Sequence, residues 1–173
     1  MKLIPKPQEG EFAPYAIMYV DQVPDDGQVL ANLETNFEVM RSYVLELPQD
    51  RLDQPHAPGE WTVKDILMHV IDNERIFAYR ILRLGRGDET PLAGYDQTAY
   101  VPNANANART LEDILDEYKS VRDATMTLLK SLDDTAIMRE GNVSGFPVTV
   151  RGMIYIIAGH ELHHLESIKR NYG

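Results

Sequence analysis

The sequence contains no cysteine. This absence excludes disulfide bonds, iron–sulfur clusters, a cysteine nucleophile and every zinc site that is built on thiolates. A metal site in this chain must therefore draw its ligands from histidine, aspartate, glutamate, water or the backbone.

Positive charge is also scarce, since 17 lysines and arginines face 27 aspartates and glutamates and the formal net charge is −10. No cluster of basic residues interrupts this balance, so we expect no nucleic-acid partner. No apolar run approaches the roughly 18 residues of a membrane span. The opening MKLIPKPQEGEF lacks the apolar core of a signal peptide. We therefore expect a cytoplasmic protein with no membrane association.

The length of 173 residues, 43% of them hydrophobic, is sufficient for the core of one domain. We predict that residues 1–173 form a single domain. Residues 1–24 contain four prolines and are predicted to be an irregular lead-in that packs on the surface of that domain. Residues 26–173 are predicted to form a four-helix bundle.

Four segments carry apolar residues at three- and four-residue steps, as on one face of a helix. The predicted helices run from Asp26 to Leu47, from Thr62 to Gly85, from Thr110 to Leu132 and from Thr149 to Tyr172. Residues 85–109 and 133–148 are long connections, and a short extended piece is expected in the second. This pattern predicts an all-α four-helix bundle with long inter-helix connections.

Three of the five histidines lie in the last helix, in the stretch GHELHHLESIKRNYG. His160 and His164 are four residues apart, so they share the helix face that also carries apolar residues and should point into the bundle. His163 is about 100° away around the helix and should lie on its flank. His69 lies in the middle of the second helix beside its apolar stripe and should also point inward.

Two inward histidines from one helix and a third from a facing helix can offer three imidazole nitrogens to one ion. Such a set suits Zn²⁺, Ni²⁺ or Fe²⁺ and leaves a coordination position open. The alternative is a metal-free bundle in which hydrogen-bonded histidines belong to the core. Spacing alone leaves both interpretations open.

Two longer stretches resemble a known family. PGEWTVKDILMHVIDNERIFAYRILRLGRGDETPLAGYD resembles the W-[ST]-x-K-x-x-x-x-H-x-x-D-x-E-R segment of the DinB-like (YfiT-like) metalloenzyme superfamily, and VSGFPVTVRGMIYIIAGHELHHLESIKRNY resembles its closing helix with HxxxH. The resemblance implies a four-helix bundle with a divalent metal, Zn or Ni before Fe, held by His69, His160 and His164. It implies that His163 does not bind the metal. Trp61 matches the family's tryptophan at the start of the second helix, and we expect it to be a buried packing residue.

Three functions remain open at this point. The resemblance implies a metal-dependent hydrolase that acts on a small substrate. The alternative that it also implies is an S-transferase that uses a low-molecular-weight thiol of the bacillithiol or mycothiol type as co-substrate. A third possibility is a non-catalytic metal-binding or interaction module. The chain could also form a homodimer through its helix faces.

Candidate residues for chemistry and substrate binding lie near the histidines in the sequence. Glu161 and Glu74 are the candidate general acid or base. Arg80, Tyr95 and Tyr100 are the candidate substrate-binding residues, the tyrosines on the stretch PLAGYDQTAYVP, which would act as a lid or a pocket wall. Arg83, Arg86 and Arg109 could hold carboxylates of a thiol co-substrate or could be ordinary surface charges.

Overall fold

The computed structural model describes residues 2–173 and contains four long helices. They are α1 (Val29–Glu46), α2 (Val63–Gly85), α3 (Leu111–Ser131) and α4 (Val150–Tyr172). Helix α2 packs against α3 and α4, and α1 packs against the same two helices. This arrangement confirms the predicted all-α four-helix bundle. Within residues 2–173, no helix has the length and apolar character needed to cross a membrane.

The helix boundaries follow local signals. Thr62 accepts a hydrogen bond from the Asp65 backbone N–H, and the Asp65 carboxylate accepts one from the Thr62 backbone N–H, which completes a capping box. The Thr110 and Thr149 side chains cap α3 and α4 without a capping box, by accepting hydrogen bonds from the backbone N–H groups of Asp113 and Gly152. The predicted start of α1 at residue 26 was too early, because Gly27 adopts a φ of 73° that a right-handed helix does not tolerate.

A polar layer crosses the middle of the bundle and separates two apolar clusters. The first includes Leu33, Ile81, Leu129 and Ile154, and the second includes Met40, Ile71, Ile114 and Ile168. Along each long helix the buried residues change from one cluster to the other at a polar residue: Asn36 on α1, Glu74 on α2, Arg122 on α3 and Glu161 on α4. The order of the clusters is the same along α1 and α4 and reversed along α2 and α3. Helices α2 and α3 therefore run parallel, and the long connection between them has to return along the length of the bundle.

Residues 2–24 are more ordered than the irregular lead-in predicted for residues 1–24, of which Met1 lies outside the described residues. Pro14–Ala16 form a 3₁₀ turn and Ile17–Val20 form a short helix. Nearby apolar side chains such as Phe12 are buried in the core. The segment crosses α4 at two glycines two turns apart: a Cβ at Gly152 would overlap the carbonyl oxygen of Glu11, and one at Gly159 would overlap that of Tyr19.

The two long connections meet beside the bundle. The second contains a short helix, Asp134–Met138, and a hairpin of β1 (Glu140–Val143) and β2 (Phe146–Thr149). The hairpin is the extended piece expected there. Leu92 of the first connection joins β1 through two hydrogen bonds of 2.9 Å, from its N–H to the Asn142 oxygen and from the Ser144 N–H to its own oxygen. This contact places the first connection over one end of α2.

Candidate metal centre and adjoining cavity

The structure brings His69, His160 and His164 together between α2 and α4. The Nε2 atom of His160 lies 2.9 Å from Nε2 of His69 and 3.1 Å from Nε2 of His164. The nearest ligand nitrogens of the three rings all lie within 4.8 Å of one another. His69 and His160 are buried and His164 is partly buried. His160 and His164 thus lie one turn apart on the inward face of α4, and His69 points inward from α2, as the sequence predicts.

These separations fit a shared divalent ion. Two imidazole nitrogens that each lie about 2.0–2.1 Å from one ion are roughly 2.9–3.4 Å apart at the usual ligand angles. Hydrogen bonds among the histidines are a poorer explanation, because a ring nitrogen carries either one hydrogen or one lone pair. Nε2 of His160 therefore cannot pair well with both of its close neighbours. The three-nitrogen donor set suits Zn²⁺, Ni²⁺ or Fe²⁺.

Burial keeps the three imidazoles neutral. It lowers the pKa of His69 to about 4 and that of His164 to about 3, and the neighbouring histidines add to the shift. Burial lowers the pKa of His160 well below the usual value as well. Desolvation disfavours the charged imidazolium, so all three rings are uncharged at neutral pH. Neutral imidazole is the form that binds metals.

Aromatic side chains surround the triad. The Tyr19 ring meets the His160 ring edge to face with 5.3 Å between centroids, and the His163 ring at 5.5 Å. Trp61 is half-buried and its ring lies 5.0 Å from the His69 ring. His163 lies on the flank of α4, as expected, and is not one of the three converging histidines. Aromatic rings therefore pack against both His160 and His69.

Glu74 and Glu161 form a buried ion cluster with Arg122. Both carboxylates are almost completely buried. Glu74 accepts hydrogen bonds from Nη2 of Arg122 at 2.8 Å and from its Nε at 3.0 Å. The Oε1 atom of Glu161 lies 3.1 Å from the same Nη2. Glu161 also accepts a hydrogen bond from the Tyr118 hydroxyl. Burial raises the pKa of Glu161 to about 7, and Arg122 opposes that shift. The sequence reasoning did not identify Arg122, and the roles predicted for the two glutamates as acid or base remain predictions.

A cavity of about 400 Å³ adjoins the triad, and its volume is that of a small-molecule site. Its walls come from the N-terminal segment, α2, both long connections and α4. The lining includes Tyr19, Asn73, Arg80, Tyr95, Asp96 and His160. Because His160 belongs to this lining, a molecule in the cavity can contact the histidine triad.

Two of the three candidate substrate-binding residues line this cavity. The Arg80 guanidinium lies over the rings of Phe77 and Tyr95, at 5.1 and 5.6 Å from their centroids. The Tyr95 hydroxyl accepts a hydrogen bond of 3.0 Å from the Asn73 amide. Tyr100 is largely exposed and packs on Tyr95 at 5.2 Å instead of facing this cavity. It lines a narrow cleft that also includes His69, and its contact with a substrate remains a prediction.

The other candidate arginines are engaged elsewhere. Arg83 pairs with Asp88, and Arg109 pairs with Asp113 and Glu117. Neither of them belongs to the cavity lining, nor does Arg86, the third candidate, which is exposed. Of the two roles considered for them, the structure supports that of surface charges.

Tyr19 is a further residue at this site that sequence reasoning missed. It contacts two histidines of α4 and lines the cavity, but it lies some 140 residues away in the chain. The sequence does carry an indirect signal, since Gly152 and Gly159 are two turns apart on a helix that otherwise favours larger residues. Such a pair indicates that another backbone crosses the helix closely.

Comparisons with known proteins find relatives over most of the chain. Residues 32–168 match the family model of the DinB superfamily. A stretch of 151 residues is 30% identical to a Bacillus pumilus protein named "Putative metal-dependent hydrolase", and the match covers 82% of each chain. A protein of Oceanobacillus iheyensis with a name of the same kind is 26% identical over 75% of this chain and 76% of its own.

Solved structures share the fold. YfiT from Bacillus subtilis, described as "a probable metal-dependent hydrolase with an unusual four-helix bundle topology", superposes with a TM-score of 0.77 over 95% of this chain and 90% of its own, at 20% identity. A mycothiol-dependent maleylpyruvate isomerase superposes with a TM-score of 0.68 at 11% identity, over 88% of this chain and 62% of its own. At these identities the likeness establishes the fold alone.

Proposed function

Because this chain belongs to the DinB superfamily, we propose that it is a divalent-metal-dependent enzyme that hydrolyses a small substrate in the cavity beside the histidine triad. The observation that carries the proposal is the convergence of three Nε2 atoms, with separations of 2.9 and 3.1 Å to the central one. His69, His160 and His164 would hold the ion, with Zn or Ni favoured and Fe as a further option.

A divalent ion at this triad would supply Lewis-acid chemistry and would activate water at neutral pH. The chain's own residues have three other tasks. His160 presents the triad to the cavity, and Tyr19 and Trp61 keep bulk water away from the imidazoles. The ion cluster around Arg122 joins α2, α3 and α4 at the same level of the bundle and thereby holds the two histidine-bearing helices in register.

A low-molecular-weight-thiol S-transferase is the second candidate, and one observation favours it. Hydrolysis calls for a general base, but among the described residues that line the cavity Asp96 is the only carboxylate. Asp96 already accepts hydrogen bonds from the backbone N–H groups of Thr98 and Ala99, at 3.0 and 3.2 Å. Thiol transfer needs no such base, because a metal favours the thiolate on its own.

The first experiment measures the metal content of tag-free protein by elemental mass spectrometry. We compare the wild type with His160→Ala and with the neighbouring His163→Ala as the matched control. The proposal expects close to one equivalent of Zn or Ni in the wild type and in His163→Ala, and almost none in His160→Ala. Equal metal content in all three proteins, or none in the wild type after incubation with excess Zn²⁺ or Ni²⁺, would refute it.

The second experiment separates the candidate activities on the metal-loaded protein. Hydrolysis is assayed with a panel of esters and amides, and thiol transfer with bacillithiol, mycothiol or glutathione and a small electrophile. Turnover that requires a thiol favours the S-transferase, and turnover without a thiol favours the hydrolase. A stoichiometric metal with neither activity favours the non-catalytic module.

The expectations about partners and location are also proposals. We propose a small-molecule substrate, no nucleic-acid or membrane partner, and a cytoplasmic location. A homodimer is proposed as the oligomeric state, and light scattering coupled to gel filtration would decide it by giving either one or two chain masses.

A further inference from the structure

Arg80 is a buried cation without an anionic partner. Its residue is 5% exposed, yet no carboxylate of residues 2–173 lies within ion-pair distance of it. A guanidinium has several N–H donors, and the described part of the chain engages it once, from Nη2 to the Ala93 oxygen at 2.9 Å. The charge and most of the donors therefore remain available to a molecule in the cavity that Arg80 lines.

The other buried cations of the chain are compensated. Arg122, at 2% exposure, contacts two carboxylates, those of Glu74 and Glu161. Lys64, at 4% exposure, lies 2.7 Å from the Asp53 carboxylate. Burying an unpaired charge is costly, and proteins normally avoid it. Among the described residues, Arg80 is therefore the one buried cation without a carboxylate partner, and it lies in the wall of the cavity.

The guanidinium is also held in a defined orientation. Phe77 and Tyr95 contact it through their ring faces, at 5.1 and 5.6 Å from the ring centroids. Asn73 in turn fixes the Tyr95 hydroxyl. A planar guanidinium held in this way can offer two parallel N–H groups to a planar anion, and the geometry of a carboxylate matches such a pair.

We propose that the cavity recognises small molecules that carry a carboxylate and that Arg80 binds this carboxylate. Arg80 is the one cationic side chain among the described residues of the cavity lining, which suits a monoanion better than a phosphate dianion. His160 lines the same cavity, so the carboxylate is held at one part of the substrate while another part reaches the triad. This inference rests on the proposed function, because a bound carboxylate matters for substrate choice only if the cavity holds the substrate. It states that this substrate carries a negative charge.

Calorimetric titration of EDTA-treated, metal-free protein tests the inference. The probes are benzoate and butyrate, with benzamide and butyramide as neutral counterparts of the same shape. We expect saturable binding of the acids by the wild type and affinities at least tenfold lower for the amides, which corresponds to about 1.4 kcal/mol. Equal binding of acids and amides, or no binding of the acids, would overturn the inference.

Two variants locate the binding group. Arg80→Met keeps much of the side-chain volume and removes the charge, and we expect it to weaken benzoate binding at least tenfold. Arg83→Met removes the same charge from a surface pair on the same helix and serves as the matched control, with binding unchanged. If both variants weaken binding equally, Arg80 is not the site. If Arg80→Met does not fold, as judged by circular dichroism, the comparison of acids with amides on the wild type still decides.

The same samples separate this inference from the proposed function. Metal content is measured after reconstitution of the wild type and Arg80→Met. Carboxylate binding without metal uptake contradicts the metal-dependent enzyme and leaves the role of Arg80 intact. One equivalent of metal in both proteins, with no preference for acids over amides, contradicts the carboxylate site alone.

Discussion

Gly159 of the last helix lies directly against the backbone of Tyr19, so closely that a Cβ at position 159 would overlap the Tyr19 carbonyl oxygen. This contact seats the N-terminal segment on α4, one residue before His160. The side chain of Tyr19 then reaches the His160 and His163 rings. A glycine in the core thereby supports one wall of the candidate metal centre.

Replacing this glycine tests that relationship. Gly159→Ala must push the N-terminal segment away, and overpacking of this kind costs about 1–3 kcal/mol. We expect a loss of that size or more in the free energy of unfolding, measured by urea titration. Glu166→Ala, at an exposed position of the same helix, should change it by less than about 0.5 kcal/mol. An unchanged stability of Gly159→Ala would contradict the close backbone contact.

The ring of Tyr19 is expected to matter more than its hydroxyl. The ring covers His160, whereas within residues 2–173 the hydroxyl makes no hydrogen bond. Loss of groups that support metal ligands typically costs 10–100-fold in metal affinity. Tyr19→Ala should therefore release metal to EDTA at least about tenfold faster than the wild type, and Tyr19→Phe should release it at the wild-type rate. Equal release from all three proteins would show that Tyr19 does not shield the triad.

Arg122 is expected to be the most sensitive charged residue of the bundle. Its removal in Arg122→Met leaves the Glu74 and Glu161 carboxylates buried without a counter-charge, and breaking a buried pair costs about 3–5 kcal/mol. The half-exposed Arg75, which pairs with Glu117, provides the control, because surface pairs contribute only about 0–1 kcal/mol. Denaturant unfolding of Arg122→Met and Arg75→Met gives both values, and similar losses would argue against a buried cluster.

The Glu11–Arg151 pair makes stability depend on pH in acid. Hydrogen bonds from Arg151 lower the pKa of Glu11 from 4.5 to about 2. The folded state thus favours ionised Glu11, so its contribution is complete above pH 4.5 and disappears as the pH falls through about 2. Charge-assisted hydrogen bonds contribute about 1.5–3 kcal/mol. Glu11→Gln should unfold more easily than the wild type at pH 6, and the difference should shrink between pH 4.5 and 2. A difference that stays constant over that range would rule out this linkage.

Local spacing predicts the helices and the inward direction of the three histidines. His160 and His164 are one turn apart, and Thr62, Thr110 and Thr149 are caps that act within three residues. The stripe on α2 places His69 inward in the same way. Periodicity states which side of a helix a residue occupies; that the three histidines share one ion is what the resemblance to the DinB-like superfamily implies.

Periodicity does not state which partner an inward residue meets. Glu74 and Glu161 are inward, but their contact is Arg122 of a third helix, whose role depends on the parallel arrangement of α2 and α3. Tyr19 reaches the triad through a backbone crossing that only packing determines. Arg80 and Tyr100 come from neighbouring segments, and the path of the long connection decides that one lines the cavity and the other does not. Such contacts are long-range, and a single sequence does not specify them.

X-ray absorption spectroscopy of the metal-loaded protein, with His160→Ala for comparison, tests the central claim most directly. The spectrum reports the number of imidazole ligands and their distances from the ion. For the wild type we expect three imidazoles at about 2.0–2.1 Å from the ion and a further position filled by water or buffer. For His160→Ala we expect one imidazole fewer or no bound metal. A wild-type ion with one imidazole or none, or a variant spectrum identical to that of the wild type, would contradict the three-histidine centre.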